Sequence, residues 1–467
     1  MVRRIEVFDT TLRDGNKLPF VVLSPDDRVQ LARQLARLGV DVIEAGWPAA
    51  SHEEADCVSR VCDEIEGPYV AALARALPGD VDAALTALAQ ARRPYIHIYM
   101  GVSPHFLRHM LKISDEKALK DISDCVRTAK SAGVKVQFSL SEAPHARHDF
   151  LRAACEAARD AGADVINLAD TNGILAPEDV SAMVKDLGSL LGEGASTAIG
   201  MHCHDDLGLA AANTLAAVLA GASHVEVTIG GFGERAGNAA LEEVAFLITA
   251  FGQRYGISHG VKLDEIARTS RLFDSLTGIR THPNKPIIGR CAFQPAPGGF
   301  SGKSLTPDMR KLMRDATIGR QPEDEALVLP VQEHKGLYEL ESFNVMTASH
   351  SPPVGVVVIT RGGKRLTQTS HGDGPVDALL RAVDKALGFS TRMVLYSVST
   401  IGTGTDAMAE VIVTVELRGR RFHGRHRSTD VIEASLRAYM NACNAIGESG
   451  ILEGPSDFHV AGEYLWE

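Results

Sequence analysis

Several features that identify common protein classes are missing from this sequence of 467 residues. No apolar run reaches the ~18 residues of a membrane-spanning helix, and the first residues enter a strand pattern without the apolar centre of a signal peptide. The seven cysteines are scattered, and no pair has Cys-x-x-Cys spacing. We therefore expect no membrane anchor, no disulfide framework and no zinc knuckle, and the pattern favours a reducing cytoplasm.

Basic residues are also scarce. Lys and Arg together number 48 against 59 Asp and Glu, which gives a formal net charge of -11. A nucleic-acid-binding domain usually carries a clustered basic face, so this class of protein is not expected. The hydrophobic fraction of 45% and the charged fraction of 23% are ordinary globular values. The length predicts about two or three domains.

Short β-branched runs alternate with longer amphipathic stretches over the first half of the chain. Eight of these runs are candidate strands: Ile5–Phe8, Asp41–Ala45, Tyr69–Ala74, Tyr95–Met100, Val134–Leu140, Val165–Ala169, Thr197–His204 and His224–Ile229. Eight βα units within about 250 residues predict an α/β fold of the (β/α)8 TIM-barrel type. An open doubly wound sheet is the alternative.

The chain divides into three predicted parts. Residues 1–255 form the barrel, residues 256–328 form a less regular linker subdomain rich in Pro and Gly, and residues 329–467 form a smaller α+β domain. The last part has four candidate strands and two candidate helices: Tyr338–Met346, Val354–Thr360, Met393–Thr400, Glu410–Leu417, Val376–Leu387 and Ser428–Ala445.

Polar and glycine-rich segments follow most of the predicted barrel strands. Residues 9–15 follow the first strand, residues 170–173 the sixth and residues 231–238 the eighth, while His202 and His204 end the seventh. A barrel gathers its catalytic groups at the carboxyl ends of its strands. The convergence of these segments on one face therefore predicts an active site there.

The pair His202 and His204 is a candidate metal site. Side chains at i and i+2 of a strand point the same way, so both imidazoles face one side of the sheet. Asp14 would add a carboxylate oxygen, and Asn238 could add a carbonyl oxygen. A set of nitrogen and oxygen ligands without thiolate suits Mn, Mg, Co or Zn. Such a metal can polarise a carbonyl group, and Arg13 would stabilise the charge that develops on its oxygen.

Three sequence motifs resemble those of a known protein family. They are DTTLRDG at residues 9–15, HCHDDLG at residues 202–208 and GERAGN at residues 233–238. Together they resemble the signature of the metal-dependent barrel family that contains 2-isopropylmalate, homocitrate and citramalate synthases. The segments GDGPVDA at residues 372–378 and GRRFHG at residues 419–424 resemble the C-terminal regulatory and dimerisation domain of 2-isopropylmalate synthases.

This resemblance implies a Claisen-type condensation of acetyl-CoA with a 2-oxo acid, giving a 2-substituted malate and free CoA. It implies that the metal chelates the 2-oxo acid and that Arg13 polarises its keto oxygen. His97 and Thr171 match positions that contact the substrate, and Glu44 would support the site from the second strand. A homodimer is implied as well.

Two departures from the family pattern concern the catalytic base. The family usually has Phe-Ser-x-Glu-Asp after the fifth strand, whereas this chain has FSLSE at residues 138–142, so the acid is lost at Ser141 and Glu142 stands beside it. The Ser-Gly-Ile-His segment of the linker is replaced by RCAFQPAPGG at residues 290–299. Deprotonating acetyl-CoA needs a positioned base, and Glu142, His145 and His148 are the candidates.

Three functions remain open on the sequence alone. The first is a specialised synthase of secondary metabolism that makes an alkyl- or phosphonomethyl-malate. The second is a CoA-independent lyase or aldolase on the same metal site, which the missing linker histidines favour. The third is an inactive regulatory paralogue that binds an amino acid through its C-terminal domain, although the complete set of metal ligands argues against it.

The loop at Gly372, Gly374, Pro375 and Asp377 resembles the turn that binds an end-product amino acid in feedback-regulated synthases. A glycine turn that precedes a helix explains the same residues. The basic run from Arg418 to Arg427 is better explained by a hairpin face or a dimer contact than by a CoA site.

Overall fold

The structure is a computed structural model. The chain divides into two compact units, residues 1–322 and 323–467. The structure describes residues 2–18, 21, 23–192, 194–289, 292, 336–401, 407–449 and 451–452. The replaced linker segment at residues 290–299 lies outside the described residues except for Ala292. The three-part division of the chain therefore remains a prediction.

The first unit is a closed barrel of eight parallel strands, as predicted. A short strand β1 (Arg3–Arg4) precedes it and pairs with β10 (Ile257–Ser258). The barrel strands are β2 (Glu6–Asp9), β3 (Val42–Gly46), β4 (Tyr69–Arg75), β5 (Pro94–Gly101), β6 (Lys135–Ser141), β7 (Val165–Asp170), β8 (Ala198–Cys203) and β9 (His224–Val227). Strand β2 pairs with both β3 and β9, which closes the barrel and excludes the open doubly wound sheet.

Helices surround the barrel and connect its strands. They are α1 (Pro25–Leu38), α2 (His52–Glu64), α3 (Pro78–Ala87), α4 (Asp115–Ser131), α5 (His148–Asp160), α6 (Pro177–Leu191), α7 (Ala210–Ala220), α8 (Leu241–Tyr255) and α9 (Leu263–Thr277). Helices α1 to α7 each pack one face against the barrel strands, whereas α8 contacts β10 and α9 packs against α1 and α8. In α5, for example, Phe150, Ala154 and Ala158 recur every four residues and are buried, which is the spacing of one helix face.

Local signals in the sequence set the helix ends. Ser24 caps α1 by accepting a hydrogen bond from the Asp27 backbone N–H, and the Asp27 carboxylate accepts one from the Ser24 backbone N–H. Gly39 ends the same helix at a φ of +87°, where a Cβ would lie 2.7 Å from the Gly260 carbonyl oxygen. Only glycine fits this position without displacing the neighbouring backbone.

The second unit is an α+β domain with two three-stranded antiparallel sheets. Its elements are β11 (Tyr338–Ala348), β12 (Ser351–Arg361), β13 (Lys364–His371), α10 (Pro375–Leu387), β14 (Arg392–Ile401), β15 (Met408–Leu417), β16 (Arg420–Ser428) and α11 (Val431–Glu448). Val411, Val413 and Val415 of β15 are buried at alternate positions, as expected for a strand with one face in a core.

The basic run begins in the turn at Arg418 and continues along β16, which forms an antiparallel hairpin with β15. Arg425 and Arg427 of this strand both contact the carboxylate of Glu410. Strands β13 and β16 were not among the predicted strands. The six cysteines of the described residues are free and buried. Among the helices of those residues, none combines the length and apolar character that crossing a membrane requires.

Candidate active site

The predicted metal ligands meet at the carboxyl end of the barrel. Asp14 lies in the turn after β2, His202 lies on β8, and His204 comes directly after that strand. One ligand atom from each of the three lies within 4.8 Å of the others, and all three side chains are buried. The two imidazole rings are 4.8 Å apart. The structure thus brings together one carboxylate and two imidazoles that could hold a divalent cation.

Asn238 lies beside this triad and has an unused carbonyl oxygen. Its Nδ2 lies 3.4 Å from Asp14 Oδ1 and 3.2 Å from the Phe232 carbonyl oxygen. Its Oδ1 is buried and has no hydrogen-bond partner among the described residues. An unpaired buried acceptor costs about 1–3 kcal/mol, so this atom fits a ligand position. Gly233 permits the arrangement, because a Cβ there would lie 2.1 Å from Asn238 Nδ2.

Asp14 and His204 have the protonation states that metal ligands need. Burial alone would raise the pKa of Asp14, but the charges of Arg13 and Lys17 outweigh burial and hold the pKa far below its ordinary value. Burial, helped by the charges of the neighbouring His202 and Arg235, outweighs the opposing charge of Asp14 and lowers the pKa of His204 to about 3. At neutral pH the carboxylate is therefore ionised and the imidazole of His204 is neutral.

Glu226 is a residue of the site that the sequence did not reveal. It is buried on β9, and its Oε2 lies 2.8 Å from His202 Nδ1. Its Oε1 accepts hydrogen bonds from Gln137 Nε2 at 2.5 Å and from Asn167 Nδ2 at 2.8 Å. A carboxylate on one nitrogen of a histidine orients the ring and leaves the other nitrogen for a metal. The available signal was an acidic residue within the apolar strand His224–Val227.

Replacing Glu226 by glutamine is expected to weaken metal binding by about 10- to 100-fold, because His202 would lose the carboxylate that orients its ring. Competition with a chromogenic chelator measures this affinity directly. Glu178→Gln, at an exposed position on α6, is the matched control and should bind metal as the unmodified protein does. Equal affinities in the two variants would rule out the orienting role.

Arg13 is held rigidly between two carboxylates. Its Nε donates a 2.7 Å hydrogen bond to Glu44 Oε2, and its Nη1 donates to Asp14. The Glu44 carboxylate also accepts from Thr10 Oγ1 at 2.6 Å and contacts His97 Nδ1 at 2.7 Å. Burial would raise the pKa of Glu44, but the charges of Arg13 and His97 outweigh it and lower the pKa. Glu44 therefore fixes both Arg13 and His97 at the edge of the triad.

Of the residues predicted after β6 and β7, only Thr171 lines the cavity beside the triad. Its Oγ1 accepts a 2.9 Å hydrogen bond from the Glu142 backbone N–H. The Glu142 carboxylate instead accepts from Ser103 Oγ, and the exposed His145 contacts Asn172 with its Nε2 at 3.0 Å. In this conformation neither Glu142 nor His145 lines the cavity.

The cavity at the mouth of the barrel has a volume of about 370 Å³. On one side it is bounded by the triad, Arg13 and Glu226. Its other lining residues include four large apolar or aromatic side chains from strands β2 to β5 and the segments that follow them, namely Leu12, Trp47, Leu73 and Tyr99. The cavity therefore combines the candidate metal ligands with an apolar side formed by these four residues.

Comparisons with known proteins agree with this architecture. Residues 4–273 match the HMGL-like family, and residues 308–447 match the LeuA allosteric (dimerisation) domain. Two solved structures similar to the barrel are an HMG-CoA lyase of Bacillus subtilis and one of Acinetobacter baumannii with coenzyme A and 3-methylmalate. The first has a TM-score of 0.52 at 22% identity and covers 60% of this chain and 97% of that chain. The second has a TM-score of 0.51 at 20% identity and covers 65% and 97%.

Curated relatives match the chain over nearly its full length. The 2-isopropylmalate synthase of Pyrococcus furiosus is 37% identical, with 96% of this chain and 100% of the relative covered. That of Clostridium kluyveri is 35% identical, covering 96% and 97%. That of Pyrococcus abyssi is 38% identical, covering 93% and 100%. The chain therefore belongs to the 2-isopropylmalate synthase family of acyltransferases.

Proposed function

We propose that the protein condenses acetyl-CoA with a 2-oxo acid that has an alkyl side chain, giving a 2-alkylmalate and free CoA. A new bond joins the acetyl methyl carbon to the keto carbon, the methyl group loses a proton, the keto oxygen gains one, and water cleaves the thioester. The observation that carries this proposal is the buried triad of Asp14, His202 and His204 beside Arg13, in a chain of this family.

A divalent metal (Mn, Mg, Co or Zn) held by Asp14, His202, His204 and Asn238 would act as a Lewis acid toward the keto group. The protein's own contribution is the fixed guanidinium of Arg13, which lies next to Asp14. Because Glu44 holds Arg13 from the other side, this positive charge is in place before charge develops on the keto oxygen. Such preorganised donors stabilise the transition state without reorganisation.

The lining of the cavity favours an alkyl side chain over a phosphonomethyl group. Its only Lys and Arg side chains among the described residues are Arg13 and Lys17. Arg13 is bonded to two carboxylates, and Lys17 Nζ lies 3.0 Å from Glu234 Oε2. Apart from the proposed metal, a dianionic phosphonate would therefore find no lining Lys or Arg of the described residues without a carboxylate partner. A buried charge without a partner is costly, whereas an alkyl group gains from contact with the apolar side.

CoA thiol release by metal-reconstituted protein tests this proposal. We expect release with acetyl-CoA to depend on an alkyl 2-oxo acid such as 2-oxoisovalerate, and to be much weaker with oxaloacetate or phosphonopyruvate. A preference for phosphonopyruvate would overturn the alkyl assignment. No release with any 2-oxo acid, from protein shown to hold its metal, would overturn the condensation. Cleavage of the C–C bond of a 2-substituted malate to a 2-oxo acid and acetate, without CoA, would then establish the lyase alternative.

The second unit supports a regulated dimer. It matches a domain described as allosteric and dimerising. Helix α10 begins at Pro375 with Gly374 as its N-cap, and Gly372 lies in the loop before it. The Asp377 carboxylate accepts a 2.9 Å hydrogen bond from the Asp373 backbone N–H and a 3.0 Å bond from Arg381 Nε. These contacts hold the loop in one conformation. We propose that the protein is a homodimer and that an amino-acid effector binds at this loop.

A further inference from the structure

Trp47 forms part of the apolar side of the cavity and is tied to a neighbouring βα unit. It lies directly after β3 and lines the cavity with Leu73 and Tyr99. Its indole Nε1 donates a 3.1 Å hydrogen bond to Asp80 Oδ2, in the first turn of α3. The ring is therefore held by a residue that does not itself line the cavity.

Asp80 is itself anchored by Arg75 at the end of β4. Arg75 donates to the Asp80 carboxylate from Nε at 2.8 Å, from Nη2 at 2.9 Å and from its backbone N–H at 3.1 Å. The guanidinium carbon also lies 5.1 Å from the centre of the Trp47 ring, at cation–π distance. Burial would raise the pKa of Asp80, but these hydrogen bonds outweigh it and lower the pKa.

The position of Trp47 around the barrel makes it a boundary for the substrate. The triad and Asn238 come from β2, β8 and the segment after β9. In the closed strand order, β4 and β5 lie opposite β8 and β9. A 2-oxo acid whose oxygens face the triad would extend its side chain toward Leu73 and Tyr99. Trp47 follows β3, which adjoins β4, and lines the same cavity.

We propose that Trp47, locked in place by Asp80 and Arg75, limits the size of the alkyl group that the enzyme accepts. This inference rests on the proposed condensation of 2-oxo acids. Asp80 and Arg75 act as positioning residues, since they contact the indole ring and do not line the cavity. A mobile indole would widen the pocket, and a missing one would widen it further.

The test compares kcat/KM for pyruvate, 2-oxoisovalerate and phenylpyruvate in the unmodified enzyme and its variants. Trp47→Ala should shift the ratio of phenylpyruvate to 2-oxoisovalerate by about tenfold or more toward the larger substrate, as expected for a change in pocket volume. Asp80→Ala should shift it in the same direction by a smaller factor. Asp80→Asn retains an acceptor for the indole N–H and should restore most of the original preference.

A double-mutant cycle separates positioning from general structural damage. If Asp80 acts through the indole ring, Asp80→Ala should not change the substrate ratio in the Trp47→Ala background. Asp186→Ala breaks a comparable contact, the 2.8 Å pair of Arg152 Nη1 and Asp186 Oδ1 between α5 and α6, and should leave the ratio unchanged. If Trp47→Ala still releases CoA but has the same ratio of phenylpyruvate to 2-oxoisovalerate kcat/KM as the unmodified enzyme, the inference is wrong. Absence of release in the unmodified enzyme would instead contradict the condensation itself.

Discussion

Replacing His202 by alanine is expected to lower CoA release by about 10³-fold or more, because the site would lose an imidazole ligand and with it the Lewis acid. Polarisation by a metal contributes several kcal/mol of transition-state stabilisation, and each 1.4 kcal/mol corresponds to about tenfold in rate. The neighbouring carboxylate of Glu226 would keep its hydrogen bonds from Gln137 and Asn167, so we expect the barrel to stay folded. Metal content by mass spectrometry and thermal unfolding provide readouts that do not depend on turnover.

His52→Ala is the control for this substitution, since His52 is exposed at the start of α2. It should retain both metal and activity. Full metal content in His202→Ala would show that this imidazole is not a ligand. Full activity without metal would show that catalysis does not depend on the triad. Either result would require a different account of the site.

Replacing Arg13 by alanine should lower kcat by about 10²- to 10³-fold, the usual cost of removing a donor aimed at a developing oxyanion. The KM for acetyl-CoA should change little, because Arg13 is assigned to the keto oxygen. Arg13→Lys should recover only part of the activity. A lysine has a single charged nitrogen and cannot contact Glu44 and Asp14 with the fixed, planar geometry of a guanidinium.

Arg33→Ala is the matched control, since Arg33 is exposed on α1 and pairs with Glu64 at the surface. It should leave both kinetic constants unchanged. A rise in the KM for the 2-oxo acid with an unchanged kcat in Arg13→Ala would mean that Arg13 binds the ground state and transition state equally. The assignment to the transition state would then be wrong.

The barrel and the group of candidate metal ligands could be predicted from the sequence because both depend on short-range patterns. Buried strands such as Val165–Asp170 are short β-branched runs, and parallel strands must place their carboxyl ends on one face. The alternation of side chains along a strand was enough to bring His202 and His204 to the same side. Asp14 and Asn238 followed from the closure of the barrel.

The remaining parts of the site depend on contacts between residues that are far apart in the sequence. Glu226 meets His202 only because β8 and β9 pair in one particular register, and no local pattern in the sequence encodes that contact. Glu142 shows the converse: it stands next to the lost acid, but its backbone adopts a φ of 57° and its carboxylate bonds Ser103. Adjacency in sequence did not predict its direction.

The missed strands of the second unit have another cause. Strand β13 (Lys364–His371) carries mostly polar and exposed side chains, so it lacks the apolar alternation that identifies a half-buried strand. Its pairing with β12 is made by backbone hydrogen bonds, which any residue except proline can form. Composition alone therefore could not reveal it.

The hydrogen bonds inside the barrel also bear on how the chain reaches its native strand alignment. His97 contacts Glu44 and Ser139, and Asn167 links Ser139 to Glu226, so polar side chains from five strands interlock. If one of these strands slipped by one residue, its polar side chain would turn to the opposite face of the sheet and leave its partners. Each group left buried and unpaired would then cost about 1–3 kcal/mol. The hydrogen-bonded polar residues that build the site thus also favour the native strand register over a shifted one.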